Sequence, residues 1–487
     1  MSNAPVRTPL VFAVVTATGS PLETFLSAFS RLMPKYGYDA VPIRLTGLLQ
    51  EHVASPDSIV WANEGERIQK MMDAGDQFRT KVERSDAMAL LAVLGIQAAQ
   101  DDHDATRSYA YVIRQLKHPD EVSTLRQIYG DRLFVLGLYS TYSERLKHLT
   151  EVLKIDNGVA EQLIERDEAD EYTEWGQRTR DAFELGDVFF RIDEPNCTDA
   201  MVEAERFLDL IFGCPELSPR SNEHAMYLAY AASLRSADLS RQVGAVVTNE
   251  DGDVVAVGAN DVPKAGGGQY WPGKHDHRDH TKREDSNTKH RLKIARDIFE
   301  RTQSEKKDDG AAFKEFMKSL DGSLLLDITE YGRPVHAEMD AILSCARNGI
   351  ATRRGHVFCT TFPCHNCAKH LVDAGIKEVQ YVEAYPKSLA TKLHSDAIFW
   401  EEEAGSEEAP GGRVVFKHYV GVGARRYMDL FSLTLSSGRR VKRKNKVGEI
   451  SVWDATTAEP RVPSDTASFD LEMKAIDELR IAMKGPS

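Results

Sequence analysis

Two short stretches hold the residue types that could do chemistry. PVHAEMDA sets Glu338 two residues after His336, and FPCHNC, with 24 residues between Glu338 and its proline, supplies Cys364 and Cys367. One imidazole and two thiolates are three ligands of the kind zinc prefers, and a fourth position left open marks a catalytic rather than a structural site. A carboxylate as close to that position as Glu338 could shuttle protons between water and a substrate. Two blander readings compete. A lone Cys-x-x-Cys also suits a redox switch, and with a second such pair it would make a zinc knuckle. The second pair is absent, and redox motifs of this kind normally follow the first strands of a small domain. His365, between the cysteines, reads as a solvent-facing helix residue. Cys197, Cys214, Cys345 and Cys359 stand alone and read as inert buried thiols.

The pattern around these residues says how they are positioned. HAEMDAILSCARNG carries helical spacing, HVFCTTF reads as a strand, PCHNCAKHLVDAG as a second helix and EVQYVEAY as a second strand. Each motif therefore opens a helix, where unpaired N–H groups and about +0.5 of charge favour thiolate. Two such junctions at one sheet edge would bring His336, Cys364 and Cys367 to a point. Upstream lie the helix HAMYLAYAASLRS and the hairpin QVGAVVTNEDGDVVAVGAN, with its turn at NEDGD. Between that hairpin and the histidine sits an insertion over 262–330, containing KAGGGQYWPGKHDHRDHTKRED. A second metal held by His275, His277, His280 and His290 is one reading of it, and a solvated polar loop is the other.

Earlier in the chain a disordered tail of about ten residues is expected, then PLVFAVV, TATGSPLE and TFLSAFSRLMPKYG read strand, turn, helix. RSYAYVIRQL, DEVSTLRQIYG and RLFVLGLYS continue the alternation, which predicts a parallel sheet with crossover helices. Residues 156–212 read as mostly helical. The expected division is α/β throughout: a first domain over 1–213, a linker over 214–221, a second domain over 222–405, and a C-terminal extension over 406–487. The linker, CPELSPRS, has two prolines and no periodic pattern. The extension follows the flexible break GSEEAPGG and ends in the amphipathic helix FDLEMKAIDELRIAM.

The 487 residues carry a formal charge of −14, which argues against a general nucleic-acid binder. GRRVKRKNK, 438–446, is the one dense basic run; it reads as a solvated loop, with contact to a triphosphate or an RNA regulator as the functional alternatives. No apolar run is long enough to span a bilayer and no signal peptide is evident, so a cytoplasmic protein is expected.

The joint pattern H-x-E…P-C-x-x-C matches the zinc nucleobase-deaminase signature. From about 223 to 400 the chain resembles the deoxycytidylate (dCMP) deaminase branch of the cytidine-deaminase superfamily, through SLRSADLSRQVGAVV, GAND, HAEMDAI and FPCHNCAKHLVDAGIKEV. The resemblance implies a three-layer α/β/α domain, Zn2+ held by His336, Cys364 and Cys367, and Glu338 as general acid and base. It also implies that Asn260 touches the nucleotide sugar, with Arg235, Ser236 and Arg241 near the phosphate, and that the enzyme is a homo-oligomer acting on free deoxycytidine nucleotides. The whole layout, with GGGQYW and VGVGARRYMDLF, resembles bacterial antiviral dCTP deaminases that carry a nucleotide-kinase-like domain in front. That likeness implies dCTP as well as dCMP as substrate and dTTP or dCTP as effector. The stretch Ala17-Thr-Gly-Ser-Pro-Leu-Glu-Thr24 departs from the P-loop pattern G-x-x-x-x-G-K-[ST], with Ala17, Leu22 and Glu23 where Gly, Gly and Lys belong. Arg114 follows the strand YAYVI where a magnesium-binding acid would stand. A kinase-like fold without phosphotransfer is therefore expected, with Arg178 and Arg180, in a stretch resembling a kinase lid, still able to meet a ligand. The competing functions are an RNA or single-stranded DNA cytidine deaminase and a non-catalytic nucleotide-sensing zinc protein.

Overall fold

The computed structural model describes residues 7–52, 61–169, 176–192, 197–302, 310–385, 387–404, 411–434, 439–463 and 468–484. The tail expected at the N-terminus, the middle of the lid-like stretch, the GSEEAPGG break and the start of the basic run lie partly outside these residues. The chain forms two compact units, one of residues 1–223, 401–408 and 418–487, the other of 224–400 and 409–417.

Each unit is built on a six-stranded sheet. Along the chain the strands are β1 (Leu10–Thr16), β2 (Asp39–Arg44), β3 (Tyr109–Leu116), β4 (Leu133–Tyr139), β5 (Val188–Arg191), β6 (Gly244–Thr248), β7 (Val254–Ala259), β8 (His356–Thr361), β9 (Glu378–Glu383), β10 (Ile398–Trp400), β11 (Val414–His418) and β12 (Gly421–Val422). The first sheet runs β12-β5-β4-β1-β3-β2, parallel except for β12. Alternate residues of β1 serve two cores. Leu10, Phe12 and Val14 pack with Phe25, Phe29 and Phe207, while Val11, Ala13 and Val15 pack with Leu90, Val93 and Leu125. A strand covered on both faces reads as an unbroken apolar run, which is why LVFAVVT shows no alternation.

Two features depart from the expected organisation. The 156–212 stretch holds a strand, β5, between its helices. The C-terminal residues do not form a segment apart: they complete the first unit. β12 pairs antiparallel with β5, with Gly421 opposite Phe189. Arg426 donates to the carbonyls of Leu133 at 2.5 Å and Asp131 at 3.0 Å. Trp453 Nε1 donates to Phe212 O at 3.1 Å. The helix Ser468–Lys484 buries Ile476 and Leu479 in the same core as the helix Ala87–Asp101. Burial of these apolar side chains, rather than the composition of the break before them, decides where the segment belongs.

At the carboxyl ends of β1 and β3, where a parallel sheet changes winding direction and ligands bind in doubly wound folds, the chain supplies its own carboxylate. Asp167, buried, accepts from Thr18 N–H at 2.8 Å and pairs with Lys117 Nζ at 2.8 Å. Lys117 Nζ also reaches Thr16 O at 3.0 Å. Glu23, which follows β1, pairs with Arg114.

The second sheet runs β10-β11-β9-β8-β6-β7. β6 and β7 form the expected hairpin. Its turn is closed by Asn249 N–H, which donates to Asp253 O at 2.9 Å, and by Asp253 N–H, which donates to Asn249 Oδ1 at 2.8 Å. β8 is antiparallel to β6 and parallel to β9. Helix Ala337–Arg347 lies on this sheet at backbone distance: a Cβ at Gly258 of β7 would stand 2.2 Å from Ala337 O and 2.5 Å from Ala341 N. Among the described residues no helix is long and apolar enough to cross a membrane.

Candidate metal centre

His336 is the N-cap of the helix Ala337–Arg347 and Cys364 the N-cap of the helix His365–Asp373, as their opening positions in the sequence required. Both caps have extended backbone, so the side chains project from the loop ends of the sheet. Cys367 sits in the first turn of its helix. His336 Nδ1 lies 3.3 Å from Cys364 Sγ and 3.4 Å from Cys367 Sγ, and the three ligand atoms all fall within 4.8 Å of one another. A tetrahedral zinc with Zn–S of about 2.3 Å and Zn–N of about 2.0–2.1 Å spaces its N and S ligands about 3.6 Å apart. The residues fit that ion. Cys367 is buried, while His336 and Cys364 are half-buried, which leaves the group one open side.

The protein's own charges prepare the site. The Cys364 thiol is drawn down to about 4 by a hydrogen bond from Cys367 and by His336, and His336 is raised to about 9 chiefly by its bond to Cys364. Glu338 is only 4% exposed. Burial, then the Cys364 charge, push its carboxyl up, and its Oε2 stands 3.5 Å from Cys367 Sγ. A carboxyl beside an open ligand position can exchange protons with whatever binds there.

Ser236, Arg241 and Asn260 come together beside this group. Ser236 Oγ donates to Asn260 O at 2.6 Å. The Asn260 amide also bonds the backbone: Oδ1 accepts from Val243 N–H and Nδ2 donates to Arg241 O, both at 2.7 Å. Arg241 is exposed, with its guanidinium 5.6 Å from the Tyr385 ring centroid. Tyr385 in turn is pushed up by burial and by Cys364, and Asp238 contributes to raising His336, so the 236–241 loop borders the metal group. Arg235 turns elsewhere. It donates to Tyr270 O at 3.0 Å and lies 4.1 Å from the Trp271 ring centroid, anchoring the GGGQYW part of the insertion.

The insertion's histidines do not gather. His290 bonds Ser286 O and stacks on Tyr331, His280 lies by Asp276, and among the described residues His336, Cys364 and Cys367 are the one three-ligand group. His365 is half-buried and outside that group. Sequence reasoning missed Asp261, a buried carboxylate next to Asn260, and Tyr385. Neither carries a local pattern that would single it out.

Residues 219–383 match the family model described as the cytidine and deoxycytidylate deaminase zinc-binding region. Over 85 residues the chain is 39% identical to ComE operon protein 2 of Bacillus subtilis (strain 168), covering 18% of this chain and 41% of that protein, less than half the relative's length. It is 25% identical over 210 residues to the deoxycytidylate deaminase of Mus musculus, covering 43% of this chain and 81% of the mouse protein. The dCMP deaminase of cyanophage S-TIM5, solved in complex with dCMP and dUMP, aligns at 19% identity over 42% of this chain and 100% of that one, with a TM-score of 0.24. The family model and these sequence relatives show that residues of the second unit are similar to the zinc-binding region of cytidine and deoxycytidylate deaminases. Its His/Cys/Cys group is the zinc-binding set that such a region calls for.

Proposed function

We propose that the chain hydrolyses deoxycytidine nucleotides, converting dCMP, dCTP or both, with water, to the uracil nucleotide and ammonia. The observation that carries this is Glu338, buried and 3.5 Å from Cys367 Sγ in a group with an open side. Zinc, when bound, supplies the Lewis acidity that makes water a nucleophile near neutral pH. Glu338 takes a proton from the water that adds to C4, delivers it to N3, and passes a second to the amine, which leaves as ammonia. The half-buried His336 and Cys364 leave the base its approach. We assign the phosphate contact to Arg241, which is exposed and lies beside Tyr385. Ser236 and Asn260 hold the loop that carries it, and Arg235 holds the insertion.

The substrate class is supported by the relatives named as deoxycytidylate deaminases. The dCTP substrate, a dTTP or dCTP effector, a homo-oligomeric cytoplasmic enzyme and an antiviral role that lowers dCTP rest on the likeness of the chain's layout. For the first unit we propose a nucleotide-kinase-like fold without phosphotransfer. The Asp167 carboxylate on Thr18 N–H supports this, because it holds the loop amide that a phosphate would need. We assign contact with an RNA regulator to the basic residues at 439–446.

Ammonia release from dCMP and dCTP side by side, with and without dTTP, tests the reading. No ammonia from either nucleotide with zinc present would reject it. Glu338→Ala retains zinc and loses turnover by about 10²–10⁴-fold.

A further inference from the structure

Asp261 follows Asn260 and is 1% exposed. Its Oδ1 accepts from Val262 N–H at 2.7 Å, and its Oδ2 stands 3.4 Å from Ala237 N in the Ser236 loop. Its backbone makes both hydrogen bonds with Val335, N–H to O at 3.2 and 2.9 Å, so the residue before His336 is held through its N–H and its carbonyl alike. One carboxylate residue thus touches the nucleotide-side loop, the turn after β7 and the approach to a metal ligand.

The cation that faces this carboxylate comes from the insertion. Arg278 NH1 lies 3.4 Å from Asp261 Oδ2 with both side chains almost wholly buried. Asp276 fixes the guanidinium from the other side, accepting from NH2 at 2.7 Å and from Nε at 3.0 Å. A second strap joins the same turn to the same approach: Asp279 pairs with Arg333, three residues before His336, and Arg333 also donates to His277 O at 3.1 Å. A buried carboxylate without its cation is costly, and the backbone it holds would shift to reach water.

We propose that Arg278 is a positioning residue, acting through Asp261 to fix the Val335–His336 backbone and the Ser236–Ala237 loop. The insertion is then a working part of the site rather than a solvated loop. The inference rests on the proposed function only for its kinetic arm, since its metal arm concerns the ligand set alone.

The test compares Arg278→Met, Arg278→Lys, Asp261→Asn and the double variant Arg278→Met with Asp261→Asn, all in the full zinc-loaded chain. The rate of zinc release to a chromophoric chelator is measured without substrate, and kcat and KM for dCMP are measured separately. Arg278→Met is expected to speed zinc release about tenfold and to lower kcat/KM by about tenfold, within the range seen when outer contacts of metal ligands are lost. Arg278→Lys should recover most of both, and the double variant should improve on Arg278→Met because no stranded carboxylate remains at 261. Wild-type zinc release and kinetics in Arg278→Met would overturn the inference. So would losses that Arg278→Lys and the double variant share in full. If Arg278→Met does not fold, Arg278→Lys and Asp261→Asn carry the same comparison. A wild-type chain that releases no ammonia would reject the proposed function and leave the zinc-release arm readable.

Discussion

Gly258→Ala is the sharpest mechanical test of how the helix Ala337–Arg347 places Glu338. The added Cβ would lie 2.2 Å from Ala337 O and 2.5 Å from Ala341 N, and Cβ atoms essentially never approach a neighbour within 3.0 Å. Helix and strand must therefore part by at least about 0.8 Å, and Ala337 is the peptide between His336 of the metal group and Glu338, the proposed proton carrier. Overpacking of this kind costs about 1–3 kcal/mol of stability. A misplacement near 1 Å at reacting groups costs about 10²-fold in rate. The assay is kcat from ammonia release, with zinc content and urea unfolding on the same preparations. Gly355→Ala is the matched control: its Cβ would meet Thr248 O at 2.4 Å, before β8 rather than at the end that carries Cys364. The expected result is a similar stability loss in both variants and a kcat loss of about 10²-fold only in Gly258→Ala. A Gly258→Ala enzyme within about threefold of wild-type kcat, destabilised like the control, would show that the helix yields without moving His336 and Glu338.

Other expectations concern the first unit and the metal. His418 is half-buried, and desolvation first, then the charges of Arg145 and Arg180, push its imidazole down to about 3. The unfolded ring, at about 6.5, takes its proton earlier as pH falls, so stability is full above that value and drops below it, by about 1.4 kcal/mol at pH 5.5. Urea unfolding at pH 7.5 and 5.5 should show this drop in wild type and a smaller one in His418→Gln. Arg426→Met removes the donor to the Leu133 and Asp131 carbonyls and one cation beside buried Asp187, and should cost about 3 kcal/mol by the same measurement. Cys364→Ser, which removes a ligand from the pair that shares His336, should reduce bound zinc below one per chain, read by metal analysis after dialysis.

The metal group was legible because its three ligands sit at two helix starts whose sequence signals are local: His336 before AEMDAIL and Cys364 before HNCAKHL. The hairpin β6–β7 was equally plain, since its turn and its valines lie close together along the chain. What escaped was long-range. β5 is four residues, VFFR, with three buried in succession, so neither alternation nor length marks it. β12 is two residues, Gly421 and Val422, that pair with Phe189 and Val188 far earlier in the chain. The polar break at 405–412 read as a boundary, yet the order of the chain carries no sign that Ile476 and Leu479 return to the core of Val11 and Leu90. The contact of Arg235 with Tyr270 O was not legible either, because Tyr270 lies in an insertion whose course no local pattern fixes.

Asp167 bears on history as well as structure. The substitutions Ala17→Gly, Leu22→Gly and Glu23→Lys would rewrite the motif in the β1 loop, yet Thr18 N–H would still be held by a buried carboxylate and Lys117 would still neutralise it. Glu23→Lys would also leave Arg114 facing a second cation in place of the acid it now meets. Each step toward the P-loop pattern is thus disfavoured until the others are taken. If the first unit is the kinase-like fold without phosphotransfer proposed above, this arrangement works as an epistatic ratchet: the loop's departures and the acid beside it secure one another, and the unit is free to drift toward other uses but not along a path to the P-loop pattern.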